Sequence, residues 1–290
     1  MEQVIRQLNR EDYPYLKAME TGIEDDYVVR IFERLVTGQN RLYGLFLEGR
    51  LASVCGYTLF GNSHAMIGRI RSDVRSRGKN LATQLTHYVL NEAKNDPAVR
   101  WVGANTQENN LPARRVLEKL GLNVYSTDYG ATAQDLSTLE NGSPPWLKIK
   151  DLSQKKAWME RLYLKTGAVF PYECYYPFPA MPDLFTDENL IEWGFYENED
   201  ATRLLITKKD FKKYNFLQAI YPWDDLLEQP GLWETISADY RKMADNAEEA
   251  CFVWMDLTKQ AAASLPENHP FTLPSPWILY GTPAKKESLL

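Results

Sequence analysis

The 290-residue sequence has few residues of the kinds that build disulfide frameworks or metal sites. It contains three cysteines and three histidines, and Cys55, Cys174 and Cys251 are scattered along the chain. This usage predicts neither a disulfide-bonded domain nor a zinc site, and we expect no metal. Cys55 lies in the strand-like segment LASVCGYTLF, where we expect a core position.

Long apolar runs are also missing. No segment approaches the roughly 20 apolar residues of a membrane span, and the polar N-terminus MEQVIRQLNRED lacks a signal-peptide core. We therefore expect a cytoplasmic protein without membrane contact. The sequence pI of 5.3 argues against a nucleic-acid partner. The chain is 44% hydrophobic and 25% charged, which is ordinary for a globular protein long enough for two domains.

Charge is divided unevenly along the chain. Residues 1–138 contain 17 lysines and arginines and 16 aspartates and glutamates, whereas the remainder contains 16 and 23. The two parts therefore carry net charges of +1 and −7. An acidic half beside a near-neutral half suits a cationic small-molecule partner, although an acidic face is also common as solvated surface.

Residues 67–95, IGRIRSDVRSRGKNLATQLTHYVLNEAKN, predict a strand, a basic turn and a helix. Gly78 can adopt backbone angles that other residues resist, and Arg75, Arg77 and Lys79 surround it. The first N–H groups of a helix have no partner inside the helix, so such a turn favours an anion. A basic turn is also common as a solvated helix start, and this stretch alone leaves both readings open.

A second segment, NNLPARRVLEKLGL, follows the strand-like VRWVGANTQ and predicts another helix. Its apolar residues keep helical spacing as far as Gly121, a residue type that commonly ends helices. Asn110 stands where it can cap the first turn. In the strand before the basic turn, Gly68 interrupts the apolar alternation and predicts a β-bulge or a close backbone approach.

Together the two segments resemble the signatures of the GNAT acetyltransferase family, and the resemblance spans residues 1–137. The family's pyrophosphate signature, R/Q-x-x-G-x-G/A, is similar to residues 75–80, and its second signature, N-x-x-A-x-x-x-Y-x-K-x-G-F, is similar to residues 110–122. The resemblance implies that acetyl-CoA is bound by strand, loop and helix positions, namely Ile70, Arg71, Ser72, Arg75, Ser76, Arg77, Gly78, Lys79, Asn80, Leu81, Ala82, Asn110 and Ala113.

The resemblance also implies an α+β fold for this half, a mostly antiparallel twisted sheet flanked by helices. The order of the predicted elements in the second half favours a second, diverged GNAT-like domain of the same kind. The implied activity is transfer of an acetyl group from acetyl-CoA to a small, possibly cationic amine, with two N-terminal helices lining the acceptor groove. We expect the first of these helices to run from Asn9 to about Ile23. The sequence does not identify the acceptor, and it does not decide between a monomer and a homodimer.

Two departures from the family pattern bear on the activity. Asn80 stands where the loop usually has a small residue, and Leu117 stands where a tyrosine usually protonates the departing thiolate. The alternative to an enzyme is therefore a chain that binds acyl-CoA without turnover, as a sensor or a structural partner. The sequence names no catalytic acid or base.

Composition changes near residue 138, where STLENGSPPW predicts a linker between domains at residues 1–137 and 144–290. The predicted elements beyond it repeat the order of the first half, and they include a strand from Leu190 to Glu197. In place of the basic loop stands WDDLLEQPG, whose carboxylates would repel a pyrophosphate. We therefore expect no acetyl-CoA in this half, and a role in the substrate groove or in interactions.

The aromatic run FPYECYYPFP, residues 170–179, is open to two interpretations. Tyrosines between prolines can simply cover the edge of a core. Alternatively, Tyr172, Glu173 and Tyr175 form a wall for the cationic acceptor, and Glu173 helps to deprotonate its amine.

Overall fold

The computed structural model describes residues 2–284, and the chain divides into two compact units. One unit extends to Tyr125 and includes the C-terminal stretch from Leu279, and the other is Ser126–Ile278. These limits differ from the predicted 1–137 and 144–290 at both ends of the second half. The difference arises because two strands pair with partners far away in sequence, which a local pattern does not reveal.

The first unit is a sheet of consecutive strands with helices between them. In chain order its elements are β1 (Gln3–Gln7), α1 (Tyr13–Lys17), α2 (Tyr27–Arg30), α3 (Phe32–Leu35), β2 (Asn40–Leu47), β3 (Arg50–Phe60), β4 (His64–Ser72), α4 (Leu81–Asn95), β5 (Trp101–Gln107) and α5 (Leu111–Lys119). Strands β1 to β4 pair antiparallel in sequence order, whereas β4 and β5 are parallel. The strand and the helix predicted within residues 67–95 are confirmed as β4 and α4.

The apolar alternation of β2 and β3 directs one face of this sheet towards the short N-terminal helices. Leu42, Phe46 and Val54 from the strands pack with Leu16 and Phe32 from the helices in one buried cluster. Removing such side chains from water supplies about 1.5–3 kcal/mol each, so this cluster fixes the helices on the sheet. Cys55 is fully buried in β3, as predicted.

The predicted irregularity in β4 is a β-bulge. The register between β3 and β4 shifts after the pair Gly56 and Gly68, and Arg69 adopts a left-handed φ of 59°. The parallel pairing of β4 with β5 ends at Ile67 and Ala104. The part of β4 beyond Ile67 therefore separates from β5, and the N–H groups on that edge are left without a ladder partner on β5.

The second unit repeats the same pairing pattern. Its elements are β6 (Asn123–Ala133), β7 (Leu147–Lys148), α6 (Leu152–Met159), β8 (Val169–Glu173), β9 (Tyr176–Pro179), α7 (Asp187–Glu192), β10 (Gly194–Glu197), β11 (Leu204–Phe211), β12 (Asn215–Ile220), α8 (Leu232–Ala244), β13 (Cys251–Thr258) and α9 (Lys259–Ser264). Strands β7, β10, β11 and β12 pair antiparallel in this order, and β12 is parallel to β13. Strand β6 then lies antiparallel beside β13.

The last strand, β14 (Trp277–Pro283), belongs mainly to the first unit, because its residues from Leu279 onward cluster there. There it follows β5 in the strand order. The Tyr280 hydroxyl lies 3.2 Å from Oε1 of Glu118 on α5. A Cβ at Gly281 would lie 2.2 Å from the Trp101 ring, so only glycine lets the strand approach β5 this closely.

Two predicted elements differ from the structure. The helix expected from Asn9 to about Ile23 ends at Lys17, and the following loop turns at Gly22 with φ of 70°. The strand expected from Leu190 is wrong in its first half, because Thr186 caps the helix α7 and the strand starts at Gly194. Two acidic residues in the first turn of α7 favour its N-terminus and outweigh the apolar alternation.

The fold class is α+β, as predicted: mixed sheets flanked by helices. Among residues 2–284, none of the helices combines the length and the apolar character that a membrane crossing requires.

Candidate functional site

A cavity of about 780 Å³ lies in the first unit, between the separated end of β4, the turn before α4 and one face of α5. It gathers eleven of the thirteen positions that the sequence predicted for acetyl-CoA. These are Ile70, Arg71, Ser72, Ser76, Arg77, Gly78, Asn80, Leu81, Ala82, Asn110 and Ala113. The two sequence signatures, distant in the chain, therefore meet around one space.

The turn before α4 has a backbone conformation that leaves it open towards this cavity. Gly78 and Asn80 have left-handed φ values of 78° and 60°, and a Cβ at Gly78 would meet open space. Asn80 makes no side-chain cap hydrogen bond to α4, so the first N–H groups of the helix stay available to a ligand. Leu85 and Val89 are fully buried and fix the helix against the sheet.

Arg75 and Lys79, the remaining two predicted positions, line a separate cavity of about 100 Å³ with Asp73. The Arg75 guanidinium donates to the buried Asp73 carboxylate, with Nε–Oδ1 and Nη2–Oδ2 distances of 2.8 and 2.5 Å. These bonds hold the pKa of Asp73 well below its usual range. Arg75 therefore stabilises the turn, and its charge is partly neutralised before any ligand arrives.

Arg71 is held at the cavity wall by a buried ion pair. Its Nε and Nη2 donate to the two carboxylate oxygens of Asp26 at 2.7 and 3.0 Å, and its guanidinium lies 5.4 Å from the Tyr27 ring centre. Burial by itself would raise the pKa of Asp26, but hydrogen bonds from Arg71 and from the Val28 amide bring it below its ordinary value. The pair joins α2 to β4.

Five further residues line the cavity but were not predicted: Thr21, Ile23, Pro112, Val116 and Lys119. Val116 and Lys119 continue the helical i, i+3 row of Asn110 and Ala113, so the spacing could have revealed them. Thr21 belongs to an irregular loop, and its carbonyl accepts a 2.6 Å hydrogen bond from Arg77. No periodicity could have placed it.

A second cavity of about 680 Å³ adjoins the first, since Thr21 and Ile23 line both. Four carboxylates line it, from Glu20, Glu24, Asp25 and Asp26, with Arg30 as its cation. This acidic cavity lies among the N-terminal helices, where the family resemblance placed the acceptor groove.

Leu117 does not face either cavity. It is 1% exposed and lies in the core beneath α5, whereas its neighbour Val116 lines the cavity. Tyr125, a hydroxyl-bearing residue shortly after α5, packs edge-on against Trp101 with ring centres 5.7 Å apart, and it does not line the cavity. Ser72, Ser76 and Thr21 supply the hydroxyl groups of the cavity wall.

The predicted substrate residues of the second half are engaged in packing and pairing. The Tyr172 carbonyl accepts a hydrogen bond from Lys208, Glu173 forms a 2.6 Å ion pair with Lys212, and the Tyr175 ring lies 4.4 Å from that of Trp254. None of the three lines either cavity described above. Their predicted role in holding an amine remains a prediction.

The N-terminus of α8 is covered by the chain itself. This helix connects the parallel strands β12 and β13, as α4 connects β4 and β5. Gly231 precedes α8 with φ of 80°, and a Cβ there would lie 2.2 Å from the Pro144 carbonyl oxygen. The Trp146 indole donates to the Pro230 carbonyl at 2.8 Å. Glu234 in the first turn accepts from the amides of residues 141–143. The predicted linker therefore occupies the space where a phosphate would lie.

Acidic residues and histidines do not gather into a metal site in the part of the chain that the structure describes, where no group of three or more potential ligands is found.

Residues 3–122 match the model of the acetyltransferase (GNAT) family, so this part of the chain is a GNAT-family domain. Comparison with curated protein sequences finds no match to the chain.

Solved structures share the fold over nearly the whole chain. A GCN5-related N-acetyltransferase from Sphaerobacter thermophilus has a TM-score of 0.55 and 16% identity, covering 98% of this chain and 96% of that one. A putative acetyltransferase from Thermoplasma acidophilum has a TM-score of 0.54 and 15% identity, covering 97% and 99%. At these identities the likeness concerns the fold alone.

Proposed function

We propose that the chain is an N-acetyltransferase that transfers the acetyl group of acetyl-CoA to a small cationic amine. The observation that carries the proposal is the cavity of about 780 Å³ formed by both family signatures. It combines an open helix start, a glycine turn and the separated edge of β4 in one place.

The donor would lie along this cavity. Its pyrophosphate would accept hydrogen bonds from the amides around Gly78 and from Arg77, because backbone donors and a helix start favour an anion. Its extended arm would pair with the free edge of β4 at residues 70–72. A backbone N–H at that edge would polarise the thioester carbonyl and stabilise the negative charge that develops on its oxygen.

The acceptor would enter from the adjoining acidic cavity. Glu20, Glu24 and Asp25 there are exposed. Glu20 lies 3.4 Å from Arg75 and Asp25 pairs with Arg30, so Glu24 is the carboxylate of this wall that we expect to contribute most to attracting a cation. A cationic amine is attracted to this wall, whereas a carboxylate-bearing amine is repelled. A thiol resembling that of cysteine, with a pKa of about 8.5, leaves without full protonation, so the buried Leu117 does not forbid turnover.

We propose that the second unit is a diverged GNAT-like unit without a donor site. Its strand pairing supports this, and the segment that covers the start of α8 would have to move before a pyrophosphate could bind. One acetyl-CoA per chain is therefore expected.

The alternative function is an acyl-CoA-binding sensor. Leu117 favours it, because no tyrosine hydroxyl lines the described cavity at the place where the family usually has one. Turnover in the presence of an amine decides between the two functions.

The test is CoA release measured with a thiol reagent across a panel of amines. Polyamine-like and aminoglycoside-like amines are expected to be better acceptors than free amino acids, and their KM should rise with salt because the attraction is screened within about 8 Å. Glu24→Gln should raise KM for a polyamine by about fivefold, the effect of roughly 1 kcal/mol for one charge near 4 Å. The matched control is Glu33→Gln, because Glu33 does not line the acidic cavity.

CoA release that stays at the background level with every amine would favour the sensor. A preference for carboxylate-bearing amines would contradict the assignment of the acidic cavity as the acceptor site.

A further inference from the structure

The second unit contains a cavity of about 350 Å³ that the proposed function does not use. It lies where β12 and β13 separate. Their parallel pairing ends at Gln218 and Trp254, and Ile220 and Asp256, two residues further along each strand, line the space. Another part of its wall is formed by Leu162 and Tyr163 of the π-helical turn after α6 and by Ala168, Val169 and Pro171.

The charge of this cavity has one sign. Asp128, Asp224 and Asp256 line it, and the described lining residues include no lysine, arginine or histidine. The rest of the wall is largely apolar, with prolines, aliphatic side chains and the Trp223 ring. Asp128 and Asp256 share a face of the sheet, because Asp256 pairs with Gly130 and Asp128 pairs with Thr258 on neighbouring antiparallel strands.

The carboxylates have neutral partners. Oδ2 of Asp256 accepts from the Trp254 indole at 3.0 Å and from Gln218 Nε2 at 3.4 Å, and Oδ1 of Asp224 accepts from Thr258 at 2.6 Å. Burial, reinforced by the Asp128 charge, raises the pKa of Asp256 to about 7. Burial likewise raises the pKa of Asp128, with Asp224 adding to the effect. The charged forms of Asp128 and Asp256 are therefore destabilised by the fold, and a cation in this cavity would stabilise them.

A second observation, independent of the carboxylates, concerns Tyr163. This residue lines the cavity, it is 2% exposed, and its hydroxyl has no hydrogen-bond partner in the described chain. A buried hydroxyl without a partner costs about 1–3 kcal/mol. Folding alone would not favour tyrosine over phenylalanine here, so the unsatisfied hydroxyl is a second indication that this cavity holds a ligand.

We propose that this cavity binds a small organic ammonium ion, whose charged group lies among Asp128, Asp256 and the Tyr163 hydroxyl and whose apolar part packs on the surrounding prolines and Trp223. An ammonium group donates hydrogen bonds, and both carboxylate and phenol oxygens accept them. A metal ion fits poorly, because the described residues contain no group of ligands able to hold one. The apolar wall favours an organic cation over an inorganic one.

The test uses the full-length chain without acetyl-CoA. Binding of benzylamine, 1,5-diaminopentane and trimethylbenzylammonium is measured by ligand-observed NMR and calorimetry, each beside its neutral alcohol or hydrocarbon analogue of similar size. The variants are Asp256→Asn and Tyr163→Phe. The matched control is Asp187→Asn, at an exposed carboxylate of the same unit outside the cavity.

At least one amine is expected to bind the parent chain more tightly than its neutral analogue. Asp256→Asn should weaken that binding by about tenfold or more, since a charge-assisted bond is lost. Tyr163→Phe should weaken the binding of amines that donate hydrogen bonds. The melting temperature should stay the same or rise, because removing this hydroxyl breaks no hydrogen bond within the described chain. Asp187→Asn should leave amine binding unchanged.

The proposal is wrong if no amine exceeds its neutral analogue, or if both cavity variants bind the amines as the parent does. If Asp256→Asn does not fold, Tyr163→Phe decides the question alone. Gly78→Asp, which targets the donor site of the first unit, should leave this binding intact. A failure of the proposed acetyltransferase activity and a failure of this site are therefore distinguishable.

Discussion

The ion pair between Asp26 and Arg71 offers a sharp test of how the cavity wall is built. Asp26→Asn is nearly isosteric, and asparagine caps a helix as well as aspartate does, so the hydrogen bond from the Val28 amide at 3.1 Å can be kept. The substitution removes the charge and turns an amide N–H₂ towards the Arg71 guanidinium. One charge-assisted bond is lost, and a donor of Arg71 is left without an acceptor.

The magnitude follows from burial. The side chain of Asp26 is 4% exposed and that of Arg71 is 16% exposed. Removing one partner of a fully buried pair costs about 3–5 kcal/mol, and a hydrogen bond to a charged group contributes about 1.5–3 kcal/mol. With Arg71 still reaching some solvent, we expect a loss of about 2–3 kcal/mol. The matched control is the neighbouring Asp25→Asn, whose side chain is 71% exposed and whose loss should be about 1 kcal/mol or less.

Native-state hydrogen exchange by mass spectrometry measures the loss of stability around Asp26 and Arg71 locally, without assuming that both units unfold together. Peptides covering α2 and the end of β4 should exchange about 30- to 140-fold faster in Asp26→Asn than in the parent. In Asp25→Asn they should change by less than about fivefold.

The pH dependence has a definite sign. The folded pKa of Asp26 is depressed, so its contribution is complete above the unfolded pKa of about 3.9 and is lost as pH falls through the lower folded value. The difference between parent and Asp26→Asn should shrink in that range. Equal exchange in both variants at neutral pH would refute the role assigned to the pair.

Three further predictions concern single residues. Asn80→Ala should lower stability by about 1 kcal/mol in urea unfolding, because alanine resists the left-handed φ and Asn80 makes no cap bond that could be lost, whereas Asn80→Gly should not. Leu117→Tyr should lower stability by about 1–3 kcal/mol without increasing CoA release, since residue 117 lies in the core; a gain in rate would show that this position reaches the donor. Burial lowers the pKa of Lys208 to about 8, so its NMR titration should have a midpoint near 8 and stability should rise between that pH and about 10.4; a midpoint above 10 would contradict the buried position.

The sequence was most informative where local chemistry decides the structure. The helix at residues 81–95 follows from apolar spacing, and the bulge in β4 follows from the interruption at Gly68. Both depend on neighbours within a few residues. The strand predicted from Leu190 to Glu197 is wrong in its first half, because the capping signal of Thr186 and the acidic residues after it outweigh the apolar alternation.

Other features lay beyond any local pattern. Arg75 and Lys79 belong to the basic signature, yet they do not line the cavity of about 780 Å³. Arg75 instead donates hydrogen bonds to Asp73, two residues before it. The inclusion of Leu279 and Tyr280 in the first unit depends on pairing with a strand more than half the chain away. The carboxylates of the second-unit cavity come from two strands and a loop that are far apart in the sequence, so only the fold brings them together.

The central claim is that the turn at Gly78 binds the pyrophosphate of acetyl-CoA, and its most direct test is calorimetric titration of acetyl-CoA into the parent chain, Gly78→Asp and Gly38→Asp. Both glycines have left-handed φ and open space at the Cβ position, so the two substitutions carry the same backbone strain and the same added charge. Gly38 does not line the cavity. The account predicts one acetyl-CoA per chain for the parent and Gly38→Asp, and binding weakened about 100-fold or more for Gly78→Asp as a carboxylate meets the phosphates. Unchanged affinity in Gly78→Asp, or two acetyl-CoA molecules per chain, would contradict it.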